Sequence, residues 1–316
     1  MDYPPVPVWM SDTPDCGQMG LGGPGAAAVL PGQAGGTMVV LVTGCSRGFG
    51  HRTCVELAQR GHTVYAGLRD PSAPGDLPQR SPGLDIRPLA LDVVCADQRR
   101  EAVKTILDEA GHIDGLVNNA GIAIGGMLEE IEEDELRRVM EINFFGLWAL
   151  TREVLPAMRN ARSGAIVNIS SRSGVYAMPA FGPYAASKWA VEALSESWRY
   201  ELGPFGIRVH VVQPGPYRTH IWNRDYAFGR RTMTEDSPYR VHRPRLEALV
   251  EQAQANAHDP RDVAVVVADL LEGRRSGFRH PMGPGVVPSM LARRFLPFSW
   301  IESVIRKKTG LMAPPR

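Results

Sequence analysis

Tyr184 and Lys188 stand four apart in PYAASK, in a chain that writes nearly all its positive charge as arginine. It has 31 arginines and only four lysines, Lys104, Lys188, Lys307 and Lys308. On a helix, side chains four apart share one face. A phenol with an ordinary pKa of about 10 is a poor acid or base near neutrality. An ammonium beside it favours the phenolate and draws that pKa toward working pH. Lysine offers a compact point charge with three rotatable donors, and the planar fork of arginine is a poor substitute. An exposed helix pair would tolerate arginine freely in so lysine-poor a chain.

A second chemical cluster is TGCSRGFG (43–50). Glycines between a strand and a helix let the backbone approach a pyrophosphate, whose charge the helix N-terminus favours. The same letters contain GCSRG, a G-x-S-x-G pattern that would make Ser46 an acyl-transfer nucleophile. That chemistry needs a later acid and histidine, and His210, His220, His242, His258 and His280 carry no supporting motif. GLGGPG (20–25) matches the dinucleotide fingerprint letter for letter. It lacks a preceding strand and is interrupted by Pro24, so low complexity explains it better. Asn168-Ile169-Ser170 is a literal glycosylation sequon in an expected buried strand, and is set aside.

The elements needed to position these groups are visible in the hydrophobic pattern. VVLVT (39–43) is a continuous apolar run suited to a strand buried on both faces. Further strands are expected at 63–68, 85–92, within 114–121 (a strand and its turn), 165–170 and 207–215. Helices are expected at about 52–61, 97–110, 133–159, 184–202 and 260–272. This alternation predicts an α/β fold with a doubly wound parallel sheet. Residues 1–37, rich in Gly and Pro, are expected to be a disordered extension. Residues 216–259 break the rhythm and are expected to cover a substrate. The tail 283–316 mixes apolar, aromatic and basic residues. It reads as a helix packed on the domain or on a neighbouring subunit, with contact to a membrane surface as the sharper alternative.

Together, TGCSRGFG, the LDV containing Asp92, NNAG (118–121), Asn143 in EINFFG, Ser171 in ISSRSG, YAASK and the PG at 214–215 resemble the short-chain dehydrogenase/reductase family over about 38–282. GCSRGFG, VYAGLRD and the tail look most like the 17β-hydroxysteroid and retinol dehydrogenase branch. The resemblance implies a Rossmann-type, seven-stranded single domain and reversible ketone–alcohol chemistry with a nicotinamide cofactor. It implies a catalytic set of Tyr184, Lys188, Ser171 and Asn143, with Asn143 holding a water beside Lys188. Lys188 would also hold a ribose hydroxyl, a second reason for an ammonium there. The implied cofactor residues are Gly44, Ser46, Arg47, Gly48, Phe49, Gly50, Arg69, Asp92, Val93, Asn119, Ala120, Gly121, Pro214, Gly215 and Thr219, along with Tyr184 and Lys188. At the end of the second strand, Leu68 stands where an NAD-specific site would place an acid, and Arg69 follows. With Arg47 nearby by family analogy, NADP(H) is the expected cofactor. Asp70, next to Pro71, is read as a turn residue.

Tyr217, Trp222, Tyr226, Phe228 and Met233 could form an apolar substrate wall, suiting a bulky ketone such as a steroid, retinoid, polyketide or lipid. A cofactor-binding sensor or scaffold on the same fold is the competing function class. A formal charge of +1 gives no general attraction to nucleic acid. Cys16, Cys45, Cys54 and Cys95 lack CxxC spacing and read as reduced thiols. No signal peptide or membrane span is visible, and with reduced thiols a cytoplasmic protein is expected. The Arg- and Ala-rich, Lys-poor composition suggests a bacterial source, and a homodimer or homotetramer without a metal is expected.

Overall fold

Seven strands pair edge to edge, all parallel, in a computed structural model that describes residues 36–75, 77, 83–219, 221, 226–255 and 257–311. The strands are β1 (Val39–Thr43), β2 (Thr63–Leu68), β3 (Ile86–Ala90), β4 (Gly115–Asn118), β6 (Gly164–Ile169), β7 (Ile207–Pro214) and β9 (Arg279–Met282). Their order across the sheet is β3-β2-β1-β4-β6-β7-β9. Two short strands, β5 (Ala123–Gly125) and β8 (Tyr226–Phe228), form a separate parallel pair. The expected doubly wound parallel fold is therefore the fold observed.

Strand alternation divides the core between the two faces. Val40 and Val42 of β1 pack with Cys54 and Leu57 of α1 (Gly48–Gln59) and with Val267 and Leu271 of α7 (Arg261–Leu271). Val39 and Leu41 point the other way. They join Ile106 of α2 (Ala96–Ala110), Leu150 and Val154 of α4 (Leu147–Ala161) and Val191 of α5 (Gly182–Leu202). Because both faces of the central strands are covered, the runs are apolar throughout instead of alternating.

Three features depart from the sequence pattern. The helix expected over 133–159 is interrupted: α3 (Glu133–Met140) passes into a π-helical turn, Glu141–Gly146, before α4. Strand β9 reads as RHPM, an unpromising sequence, yet it pairs with β7 in the register His280↔Val212. As an edge strand it tolerates Pro281, whose missing N–H costs a central strand far more. The covering segment holds β8 and α6 (Arg243–Ala255), and the tail forms two helices, α8 (Val286–Phe295) and α9 (Phe298–Thr309). The GLGGPG stretch and most of the 1–37 extension lie outside the described residues.

Candidate active site

The carboxyl ends of β1, β2, β4, β6 and β7 open onto a cavity of about 390 Å³. Its floor is a lock between two turns. The Thr43 hydroxyl accepts from the backbone N–H groups of Asn119 (3.0 Å) and Ala120 (2.9 Å). Asn119 Nδ2 donates back to the carbonyls of Thr43 (2.9 Å) and Gly44 (3.1 Å). Gly44 sits at φ +67°, and a Cβ there would come within 2.9 Å of Ala120 Cα, so a side chain would fail on both counts. This lock presents the start of α1, with its unpaired N–H groups, to the cavity.

At the far end of the cavity stand Ser171, Tyr184 and Lys188. Helix α5 carries the last two on one face, as their spacing requires. Lys188 Nζ lies 5.7 Å from the Tyr184 ring centroid and donates to Ile169 O at 2.8 Å. Ser171 begins a 3₁₀ turn just after β6, its hydroxyl accepting from Ser173 N at 3.0 Å. Both α5 groups are buried, at 6% and 4% exposure, and burial sets their charge states. It pushes the Tyr184 phenol up to about 12, only partly offset by a hydrogen bond to Ser171. It pushes the Lys188 ammonium down to about 8, with Glu192 pulling the other way. The expected lowering of the phenol is thus reversed in this state. The ammonium is engaged by Ile169 O, and desolvation of the buried phenolate dominates the phenol's shift.

Asn143 falls in the π turn, fully buried. Its Nδ2 donates to Ile122 O (2.9 Å) and Ser187 Oγ (3.0 Å), and its Oδ1 accepts from Ile122 N (2.9 Å). Ser187 Oγ in turn donates to Tyr184 O at 2.8 Å. Both Nδ2 protons are therefore used in tying the 119–122 turn to α5. The side chain acts as a brace between two walls of the site, and Asn143 is absent from the cavity lining. A π turn is a common device for aiming a side chain that α-helical geometry would misdirect.

Nearly all the expected cofactor residues line the cavity: Gly44, Ser46, Arg47, Gly48, Phe49, Arg69, Asp92, Val93, Asn119, Ala120, Gly121, Pro214, Gly215 and Thr219. Gly50 does not. A Cβ on it would collide with the Gly44 carbonyl oxygen, so glycine there lets α1 pack under the turn. Thr219 adjoins Gly48, 3.5 Å from where its Cβ would be. Asp70 accepts from Ser72 N (2.9 Å) and Ser72 Oγ (2.6 Å), and those bonds hold its carboxyl below the usual range. It is occupied in a turn, outside the cavity lining. Arg69, by contrast, is exposed, lines the cavity and has no ion-pair partner among the described residues.

The substrate residues fare unevenly. Tyr217 lines the cavity, yet it is only 3% exposed and packs edge-on against Phe49, centroids 5.5 Å apart. That contact makes it part of the core beneath the cofactor turn more than a free wall. Phe228 is half-buried, pairs through its backbone with Gly125 and does not line the cavity. Trp222 and the side chains of Tyr226 and Met233 lie outside the described residues. The reading missed Arg138, Glu141 and Ile142, which reach the cavity from α3 and the π turn. Only the irregular helix brings them there, and no sequence signal marks it.

The competing nucleophile-elbow chemistry gains nothing from the fold. His210 pairs through Nδ1 with Gly277 O (2.7 Å) beside His280, where burial pushes its pKa down to about 4. Asn168 of the sequon is fully buried, bonded to Asn118 and Ser195. Cys45, Cys54 and Cys95 are free thiols. Among the described residues no cluster of His, Cys, Asp and Glu could hold a metal.

The model of short chain dehydrogenases matches residues 38–227. The chain belongs to the short-chain dehydrogenase family. It is 36% identical to a 3-ketodihydrosphingosine reductase of Bacteroides thetaiotaomicron, over 85% of this chain and 96% of that protein. It is 34% identical to a 3-oxoacyl-(acyl-carrier-protein) reductase of Thermotoga maritima, over 75% of this chain and 92% of that one. A short-chain dehydrogenase structure from Streptomyces avermitilis superposes with a TM-score of 0.74 at 31% identity, covering 88% of this chain and 98% of the other. Another, from Burkholderia cenocepacia in complex with NADP, gives 0.67 at 25% identity, covering 85% and 97%. The protein is thus an oxidoreductase of a family that uses NAD or NADP and acts on keto or hydroxyl groups. These relatives do not single out the 17β-hydroxysteroid or retinol dehydrogenase branch. Among the described residues no helix is long and apolar enough to cross a membrane.

Proposed function

We propose that the protein is an NADP(H)-dependent ketoreductase, reversible to an alcohol dehydrogenase, for a carbonyl on a long or bulky apolar substrate. The observation that carries this reading is one cavity with Ser171, Tyr184 and Lys188 at one end and at the other the exposed Arg69, which has no ion-pair partner among the described residues. The site suits a dinucleotide: the Gly44 cradle, the α1 N-terminus and the lock from Asn119 offer the backbone donors a pyrophosphate needs. Arg69 and Arg47 can receive a 2′-phosphate, which guanidinium binds in bidentate fashion. The engagement of Asp70 with Ser72 supports the absence of an acid for a 2′-hydroxyl.

When bound, the reduced nicotinamide supplies a hydride to the carbonyl carbon. The protein's own groups then handle the oxygen. The Ser171 hydroxyl donates to it as negative charge develops. Tyr184, whose buried phenol holds its proton at neutral pH, delivers that proton to the oxygen. Lys188 stabilises the resulting phenolate, and its ammonium would hold a ribose hydroxyl of the bound dinucleotide, while Asn143 keeps the wall that carries them in place. A keto group on a long-chain lipid fits this reading best, since two relatives bear the names of reductases of 3-keto or 3-oxo compounds.

NADPH oxidation with 3-keto sphingoid bases and 3-oxoacyl thioesters, against NADH and against Tyr184→Phe, tests the proposal. The expected result is NADPH-dependent reduction of at least one such ketone. NADPH binding without turnover of any ketone or alcohol overturns it in favour of a sensor.

A further inference from the structure

The tail helices α8 and α9 expose an unusual quantity of apolar surface. Phe295 is 71% exposed, Phe298 63% and Trp300 64%, with Leu291, Leu296 and Val304 also open to solvent. Helix α9 divides cleanly. Ile301 and Thr309 are buried against the protein, while Trp300, Val304, Lys307 and Lys308 recur at helical spacing on the outward side and are exposed. Apolar surface of this extent, held out on ordered helices, marks an interaction site.

Charge decides the partner. Between residues 286 and 311 stand Arg293, Arg294, Arg306, Lys307 and Lys308 against Glu302 alone. That is a net +4 in a chain whose whole charge is +1, so the remainder carries −3. Two copies meeting symmetrically through this patch would set like charge against like. A sheet of negative charge over an apolar layer satisfies both halves of the pattern. We propose that α8 and α9 dock on an anionic lipid surface, with Phe295, Phe298 and Trp300 entering the headgroup region and the basic side chains pairing with lipid phosphates.

The docking surface is tied to the rest of the site. Arg245 of α6, in the covering segment, donates to the carbonyls of Lys308 (Nε, 3.0 Å) and Lys307 (Nη2, 3.0 Å). Phe298, Glu302 and Ile305 share a second cavity with Met178, Pro179 and Gly182, the stretch leading into Tyr184. A lipid surface bound here lies beside both the covering segment and the start of the catalytic helix. That proximity to a lipid-borne ketone rests on the function proposed above, whereas the docking itself does not.

Co-sedimentation of the full chain with phosphatidylcholine vesicles, plain or containing about one-third phosphatidylglycerol, reads the docking without turnover. Partition onto the anionic vesicles should exceed that onto plain ones at least about tenfold and should fall in about 0.5 M salt. Phe295→Ser/Phe298→Ser/Trp300→Ser and Lys307→Glu/Lys308→Glu should each lose at least about tenfold of that partition while keeping NADPH affinity and melting temperature. Wild type remaining in the supernatant with anionic vesicles, or variants that bind like wild type, overturns the proposal. So does a change of oligomeric state in the serine variant, which would assign the patch to a second copy of the chain. Any of these leaves the ketoreductase reading standing, because no step of it is measured.

Discussion

The two ends of the cavity are built on different physical terms. At one end Tyr184 and Lys188 are almost wholly buried, and Asn143, itself fully buried, braces them with every Nδ2 proton engaged. At the other end Arg69 is exposed, with no ion-pair partner among the described residues, and Arg47 is half-buried. Buried ionisable groups act through protonation states that desolvation sets, so replacing one changes the chemistry outright. Exposed cations act by attraction through water, so their effects are graded and screened by salt. The sealed end is suited to decide whether the reaction runs, and the open end which dinucleotide enters.

The largest expected effect is at the sealed end. Tyr184→Phe should lower kcat by about 100-fold or more, since positioned proton transfer contributes roughly 10²–10⁴. Dinucleotide affinity should barely change, because only the phenolic proton is lost. Retention of more than about a tenth of wild-type kcat, under about 1.4 kcal/mol of barrier, would break the contrast between the ends.

Lys188→Arg comes next. A guanidinium must fit where a 4%-exposed ammonium already donates to Ile169, so turnover and cofactor affinity should fall together, each by about tenfold or more. The same residue predicts a pH profile. With its pKa pushed down to about 8, the ammonium is present below that pH and is lost as pH rises through it. Wild-type kcat/KM should therefore decline above about pH 8, and a level profile to about pH 10 would show that bound cofactor restores the ordinary lysine value.

A smaller, graded change is expected at the open end. Leu68→Asp/Arg69→Ala should erode the kcat/KM preference for NADPH over NADH by about tenfold, roughly 1.4 kcal/mol, with kcat for the better cofactor little affected. A wild type that prefers NADH would return Asp70 to the site and sharpen the comparison the other way. The smallest effect is expected from removing residues 1–37, which offer no periodic apolar face. The melting temperature should move by less than about 2 °C, and a larger fall would mean that the segment packs.

Much of the site could be read from the chain because its key signals are local. A buried parallel strand must be apolar throughout, so VVLVT, TVYAGL and IRVHVVQP announce themselves. An i,i+4 pair shares a helix face whatever surrounds it, so Tyr184 and Lys188 could be placed together. A glycine turn ahead of a helix is equally local. What escaped depends on contacts between distant segments. EINFFG carries ordinary helix letters, and its π turn accompanies the bonds from Asn143 to Ile122 and Ser187, residues distant in the sequence. RHPM becomes a strand only because the edge of β7 is free to pair. Gly50, expected among the cofactor residues, lies off the cavity lining and against the Gly44 carbonyl, a placement that only the fold reveals. The direction of the Tyr184 shift belongs to the same class. The ammonium is a sequence neighbour, but the desolvation that raises the phenol is a property of the folded interior, where every wall of the pocket comes from a different part of the chain.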